Sequence, residues 1–213
     1  LARQAAPAIG ITQAVYPVSG EKKGPLLLTL LESGLIQDAL VFTRTKHRAD
    51  RLAAFLIKAR IKAERIHGNR SQAQRTEALT GFRSGRYKIL VATDIAARGI
   101  DVEALSHVVN FDVPKIPDDY IHRVGRTARA GNDGHAVSLV SADEASLLRD
   151  IERTMRQAVP FSPTPAFARV EHAPAPQAAR ATPSTHRAPG GPSRPRRSHA
   201  APRSYGSRRS GGR

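Results

Sequence analysis

The sequence predicts an α/β fold, a mostly parallel sheet covered by helices on both faces, followed by a segment that does not pack. Three observations carry this reading. Short apolar runs alternate with amphipathic stretches over residues 15–157. The stretches between the runs are long enough to be the crossover helices that parallel strands require. Near Val159 the composition then changes abruptly.

Taken in order, QAVYPV (13–18) reads as a strand, and EKKGPLLLTLLESG as a helix that starts after Gly24 with Pro25 in its first turn and stops near Gly34. DALVFTR (38–44) is a buried strand. In TKHRADRLAAFLIKAR, residues Ala49, Leu52, Ala53 and Leu56 recur at spacings of three and four, which places them on one helix face. KAERIH (62–67) is a short strand before the turn HGN, and SQAQRTEALTGFRSG is a helix capped at Ser71 and closed near Gly85. YKILVAT (87–93) is the most strand-like run. SHVVNFD (106–112) and GHAVSLVS (134–141) are two further strands flanking the helix candidate IPDDYIHRVGRTARAG, and DEASLLRDIERTMRQ ends the packed part.

From Pro160 onward the chain holds ten of the fifteen prolines, ten arginines and a single acid, Glu171. Without an apolar period this segment cannot bury enough area to offset its ordering entropy, so residues 160–213 read as a disordered basic tail. Phe161, Phe167 and Val170 leave open a short docked element within residues 160–180. The end, RRSHAAPRSYGSRRSGGR, sets Tyr205 among arginines and glycines, a composition that grips a phosphate backbone by charge and stacks on a base; a merely solubilising extension is the alternative.

Over the whole chain 34 Lys and Arg face 18 Asp and Glu, a net charge of +16, which favours a polyanionic partner over a small neutral substrate. Cysteine is absent, which excludes disulfides and thiolate zinc sites and fits a cytoplasmic location; no metal ligand set is identified. No apolar run reaches the length of a membrane span and the opening LARQAAPAIG lacks a signal-peptide core, so no membrane role is expected. The first residue is not Met, which suggests a fragment.

The candidate chemistry lies where ligands bind in parallel sheets, beyond the carboxyl ends of the strands. YIHRVGRTARAG presents Arg123, Arg126 and Arg129 at intervals of three. If helical, they share a broad face on which one of them or His122 meets a ligand while another ties the helix down. Arginine suits a phosphate because its planar fork holds two oxygens and stays charged, as a migrating phosphoryl group needs. A solvated basic helix face is the competing reading. In ATDIAARGIDV, Gly99 permits a turn that brings Asp101 near the strand ends, where a carboxylate accepts from ribose hydroxyls. Thr93 and Gly99 offer donors to a phosphate, and Asp94 reads as a cap. No G-x-x-x-x-G-K-[ST] loop and no paired Walker B acids occur, so the arginines look like the far side of a nucleotide site whose near side lies in another domain.

Four segments in order resemble the DEAD-box RNA helicase family over residues 13–157. LVFTRTK (40–46) is similar to motif IV, HGNRSQAQRTEAL contains the QxxR element as Gln72 to Arg75, ATDIAARGID (92–101) is similar to motif V, and YIHRVGRTAR (120–129) is similar to motif VI, HRxGRxxR. The resemblance implies the second, C-terminal RecA-like domain, a P-loop NTPase-type three-layer sandwich lacking its own P-loop, at residues 13–159. Residues 1–12 would then be a linker from an upstream first domain. It further implies that Arg126 and Arg129 are arginine fingers on the γ-phosphate of ATP and that Asp101 contacts the ribose. Arg98, His122 and Arg123 would couple the two domains. Thr45, Lys46, His47, Gly68, Thr93 and Gly99 would contact the RNA backbone, and Mg²⁺ would be held mainly by the first domain. Ala128 departs from the family's usual glycine, and His122 favours the DEAD branch over related branches with Gln there. Bacterial members active in ribosome assembly and mRNA decay are the expected setting, so partners among such factors are expected alongside RNA and the first domain. A non-catalytic RNA-binding scaffold relying on the tail, and a neighbouring-branch enzyme acting on DNA, are the alternatives; the requirement for a 2′-hydroxyl separates the second.

Overall fold

The computed structural model describes residues 10–98, 100, 105–128 and 133–168. Six strands form one sheet: β1 Ile11–Pro17, β2 Ala39–Thr43, β3 Ala63–Ile66, β4 Ile89–Thr93, β5 His107–Asn110 and β6 Gly134–Val140. Their order is β1-β6-β5-β2-β4-β3, and every pairing is parallel. Among the described residues six α-helices connect and follow them: α1 Lys23–Glu32, α2 Lys46–Lys58, α3 Gln72–Arg83, α4 Asp94–Ala97, α5 Pro117–Val124 and α6 Ala145–Met155. The three-layer sandwich expected from the strand–helix rhythm is what the chain forms.

Alternating strand residues feed two opposite cores. Val41, Ile89, Val91, Val109 and Leu139 pack against Leu26, Leu27, Ala53 and Leu56 of α1 and α2. The other sheet face meets α3 and α4 through Leu40, Phe42, Leu90 and Val108, and meets α5 and α6 through Val15, Ala136 and Val140. Because β2 is central and covered on both faces, all five of its residues are buried, which is why it reads as a continuous apolar run. Helix starts follow local chemistry. Thr45 Oγ1 accepts from Arg48 N at the start of α2, and Ser71 forms a reciprocal capping box with Gln74 at the start of α3. Helix α1 begins at Lys23, a residue or two earlier than expected, with Pro25 in its first turn.

Two expectations need correction. Helix α5 ends at Val124, so Arg126 is not helical and Arg123 and Arg126 do not share a helix face. Gly125 caps α5, and Thr127 instead bridges Leu105, its hydroxyl donating to the Leu105 carbonyl. The chain also packs beyond Val159. Val15 N donates to Pro160 O at 2.9 Å and Ser162 N donates to Val15 O at 2.8 Å, so Pro160–Ser162 lies beside β1 and satisfies the outward backbone groups of Val15 on that edge strand. Thr164 and Ala168 are buried, whereas Phe161 and Phe167 stay about half exposed; docking there comes from backbone pairing rather than from the aromatics. Val170 and Tyr205 lie outside the described residues.

Candidate nucleotide and nucleic-acid face

All strands being parallel, their carboxyl ends share one edge, and the singled-out segments emerge there side by side. Strand β4 lies between β2 and β3, so the turns after these three strands are neighbours. Lys46 Nζ donates to Asn69 Oδ1 at 3.1 Å, joining the turn after β2 to the one after β3. Beneath the second turn His67 is buried. One ring nitrogen is 3.0 Å from Asp50 Oδ1, and the other lies 3.3 Å from the Asn69 amide, which donates to it. Burial raises the Asp50 pKa, but hydrogen bonds from His67 and Arg65 outweigh it and hold the carboxyl below the usual value. The turn is thus fixed from below and open above, where Gly68 has empty space at its missing Cβ. His47 is exposed. Thr93, the residue before α4, makes no side-chain cap bond among the described residues.

One residue on, Asp94 holds the other half of the site. Asp94 is not a cap. Arg123 donates to its two carboxylate oxygens through Nε and Nη2 at 2.6 and 2.7 Å, the bidentate geometry that makes such pairs strong. Arg123 Nη1 also donates to Asn110 Oδ1 at 3.1 Å and to the Asp112 carbonyl at 2.7 Å, and the guanidinium lies 4.9 Å from the Phe42 ring centre. Buried and engaged inside the domain, Arg123 is the arginine that ties α5 down. His122 is exposed beside it. Arg126 is half-buried and, among the described residues, donates from Nη1 to Ile100 O at 3.0 Å. Arg98 is exposed and pairs with Asp119 at 3.0 Å. Asp94, Arg98, Asp119, His122 and Arg126 line one shallow recess. Gly99, Asp101 and Arg129 lie outside the described residues.

Behind this edge is a buried charge network that the sequence reading missed. Glu144 accepts from Lys23, from Arg44 Nη2 at 2.8 Å, from the Val113 amide at 3.2 Å and from Ser141. Asp112 accepts from the Arg44 amide at 2.9 Å and pairs with Arg48 at 2.8 Å. Burial pushes the Lys23 pKa down, opposed by Glu144 and Asp112. The signal was present: Lys23 sits at the i, i+3, i+4, i+7 spacing of Leu26, Leu27 and Leu30, a cation on an apolar stripe that needs a partner. Asp112 therefore holds the loop after β2 by its carboxylate and Arg123 by its carbonyl, linking the two halves of the edge.

A family model for the helicase conserved C-terminal domain matches residues 22–131. The E. coli DEAD-box protein SrmB, in a structure with regulator of ribonuclease activity A, is 39% identical and superposes with a TM-score of 0.73 over 78% of this chain and 98% of that one. The chain belongs to the DEAD-box helicase C-terminal domain family. Among curated relatives, this helicase domain is 46% identical over 147 residues to the DEAD-box ATP-dependent RNA helicase CshA of Bacillus subtilis, a match covering 69% of this chain and 30% of that protein. The domain thus spans about a third of the relative's length. A solved structure of an S. cerevisiae Dbp5 variant bound to RNA and ADP BeF3 is 31% identical, covering 72% of this chain and 42% of that chain with a TM-score of 0.66. The fold is that of a RecA-like helicase C-terminal domain, and no P-loop sequence occurs in this chain. Among the described residues no helix is long and apolar enough to cross a membrane.

Proposed function

We propose that this domain is the second half of an ATP-dependent RNA helicase, closing on an upstream RecA-like domain to remodel RNA locally. One observation carries the reading: Thr93, with no side-chain cap bond among the described residues, and Asp94, which grips Arg123, are consecutive, so the residue assigned here to RNA and the one tied to the arginine helix share one strand end. A movement of α5 toward a nucleotide therefore pulls directly on the strand end that faces RNA. Arg98 and Arg126, with His122 beside them, rim the shallow recess and offer positive charge to a polyphosphate bound between the two domains. In it Arg126 and Arg129 act on the γ-phosphate, Asp101 takes the ribose, and Arg98 and His122 reach the other domain, with Arg123 as the positioning residue. Mg²⁺, held by the first domain, supplies charge neutralisation at the phosphates. Thr45, Lys46, His47, Gly68, Thr93 and Gly99 hold the RNA backbone, contacts that position a strand without reading its sequence. The Dbp5 variant's RNA and ADP BeF3 support RNA as a partner, and SrmB's association with regulator of ribonuclease activity A fits partners among ribosome assembly or mRNA decay factors; a cytoplasmic location belongs to the same proposal.

ATP turnover by the intact parent, with and without RNA, tests this. Arg126→Ala or Arg129→Ala is expected to reduce RNA-stimulated turnover by about 10³-fold or more, the scale of a lost arginine finger, and the isolated domain is expected to turn over none. Indifference of the parent to both changes would leave RNA tethering by the basic tail as the better account.

A further inference from the structure

The amino end of the sheet, opposite the motif-bearing edge, has an open recess of about 410 Å³ that the proposed function does not use. Its floor is apolar, with Leu31, Ile36 and Ile61, and its basic residues are Arg60, Lys62 and Lys88. Lys62 directly precedes β3 and Lys88 directly precedes β4. These strands pair, and Lys88 N donates to Lys62 O at 2.7 Å, so two like charges begin adjacent strands. Such juxtaposition is destabilising without a counter-charge. All three side chains are exposed, and among the described residues none forms an ion pair or side-chain hydrogen bond. Of the acids on the flanking elements, Asp38 accepts from Ser106 and Glu64 pairs with Arg65 and Arg70, while Glu32, exposed at the end of α1, forms no ion pair with the three cations among the described residues. Arg60 also adopts φ +64, just after the α2 C-cap, a conformation that glycine takes without strain.

We infer that this recess is a second RNA site, in which Arg60, Lys62 and Lys88 hold one or more phosphodiesters and a base rests on the Leu31–Ile36–Ile61 floor. Unpaired cations around an apolar floor match a nucleotide unit, whose phosphate is anionic and whose base is a flat apolar surface. Because the sheet separates this recess from the motif edge, a strand held here is a different segment of RNA from the one gripped between the domains. The site anchors flanking RNA while the other edge works. The inference rests on RNA being the partner, and its test keeps the two claims apart.

The test uses the full 213-residue chain and a single-stranded RNA of about 30 nucleotides, with affinity followed by fluorescence anisotropy across a salt series. The triple change Arg60→Gln, Lys62→Gln, Lys88→Gln is expected to flatten the slope of log K against log salt by about 2, three cations at roughly 0.7 each for a single strand. Its thermal midpoint should match the parent chain's. Ultraviolet crosslinks to peptides around residues 58–62 and 86–89 should appear in the parent chain and vanish in the triple variant. They should persist in Lys46→Gln, which affects the other edge only. An unchanged slope, or crosslinks confined to the turns after β2, β3 and β4, would overturn the second site while leaving the helicase reading intact. Inorganic phosphate that abolishes the rear crosslinks at millimolar concentration, with the slope unaffected by the triple change, would also overturn it and mark a free-phosphate site instead. Loss of RNA binding from neither variant set, with no crosslinks at either edge, would instead sink the helicase groove itself.

Discussion

The two ends of the sheet treat positive charge in opposite ways. At the carboxyl end Lys23, Arg44, Arg48 and Arg123 are each held by Asp94, Asp112 or Glu144. At the amino end Arg60, Lys62 and Lys88 stand in solvent without an acid partner among the described residues. The difference separates two uses of a cation. One paired to a buried acid fixes geometry, because removing either partner strands a charge; an unpaired, exposed one adds little to the fold and stays available to an anion. Arg126, half-buried with one backbone acceptor, stands between these cases: oriented, yet not consumed.

The largest effect expected from breaking the comparison is at Glu144. Glu144→Ala leaves buried Lys23 without its main counter-charge and removes the acceptor for Arg44, Val113 and Ser141. A loss of about 3–5 kcal/mol is expected from urea unfolding, the range for one partner of a buried pair. Lys88→Gln at the other end should stay within about 0.5 kcal/mol of the parent chain. Comparable losses at both ends would break the distinction. Asp94→Asn is the next step down. Arg123 keeps Asn110 and the Asp112 carbonyl but loses its bidentate charged partner, so about 2–3 kcal/mol is expected, the scale of hydrogen bonds to charged groups. In the intact parent the same change should uncouple turnover from RNA, with ATP KM less affected than the RNA-stimulated kcat. Uniform loss of both would mean that Asp94 is structural only.

Much of the fold was legible because strand and helix periods were strong, and because β2 and β4 are buried enough to read as unbroken apolar runs. The edge where the site forms was legible for the same reason: parallel strands put the residues after β2, β3 and β4 together whatever the loops do. What was not legible depends on contacts distant in sequence. Asp112 and Glu144 look like ordinary turn acids until Lys23 and Arg48 arrive from α1 and α2. The end of α5 at Val124 is set by Thr127 bridging Leu105, an interaction across 22 residues that helical spacing cannot foresee. The packing of Pro160–Ser162 needs no apolar pattern, since β1 supplies the hydrogen bonds, so a compositional boundary placed it in the tail.

Ala128, the departure from the family's usual glycine, sharpens the point about the turn that carries Arg126. Its φ is +54, in the region where a Cβ costs about 1–2 kcal/mol. The turn cannot easily relax, because Gly134 on β6 lies so close beneath it that a Cβ there would meet both Thr127 and the Ala128 amide. Ala128→Gly should relieve the strain but give back about 0.5–1 kcal/mol through the greater freedom of the unfolded chain. A net gain of up to about 1.5 kcal/mol is therefore expected, read as a rise of a few degrees in thermal midpoint. A fall would mean that the turn is held in its conformation by the Ala128 methyl rather than in spite of it.

The smallest expected effect is a pH dependence in the turn that presents Gly68. Asp50 has its folded-state pKa held below the ordinary 3.8 by His67 and Arg65. A depressed carboxyl pKa contributes stability above the unfolded value and loses it as pH falls through the folded value. Asp50→Asn should therefore be less stable than the parent chain at pH 6, and the gap should close as the pH is taken below 3.8. Because Asp50 is partly exposed, solvent screens the pair and the gap is modest. The urea midpoint measured from pH 6 to pH 3 reads the gap, and the Gly68 amide shift reads the turn directly. A gap that stays constant over this range would show that Asp50 supports the turn by packing and neutral hydrogen bonding, which would leave His67 as the residue that sets the RNA-facing turn by itself.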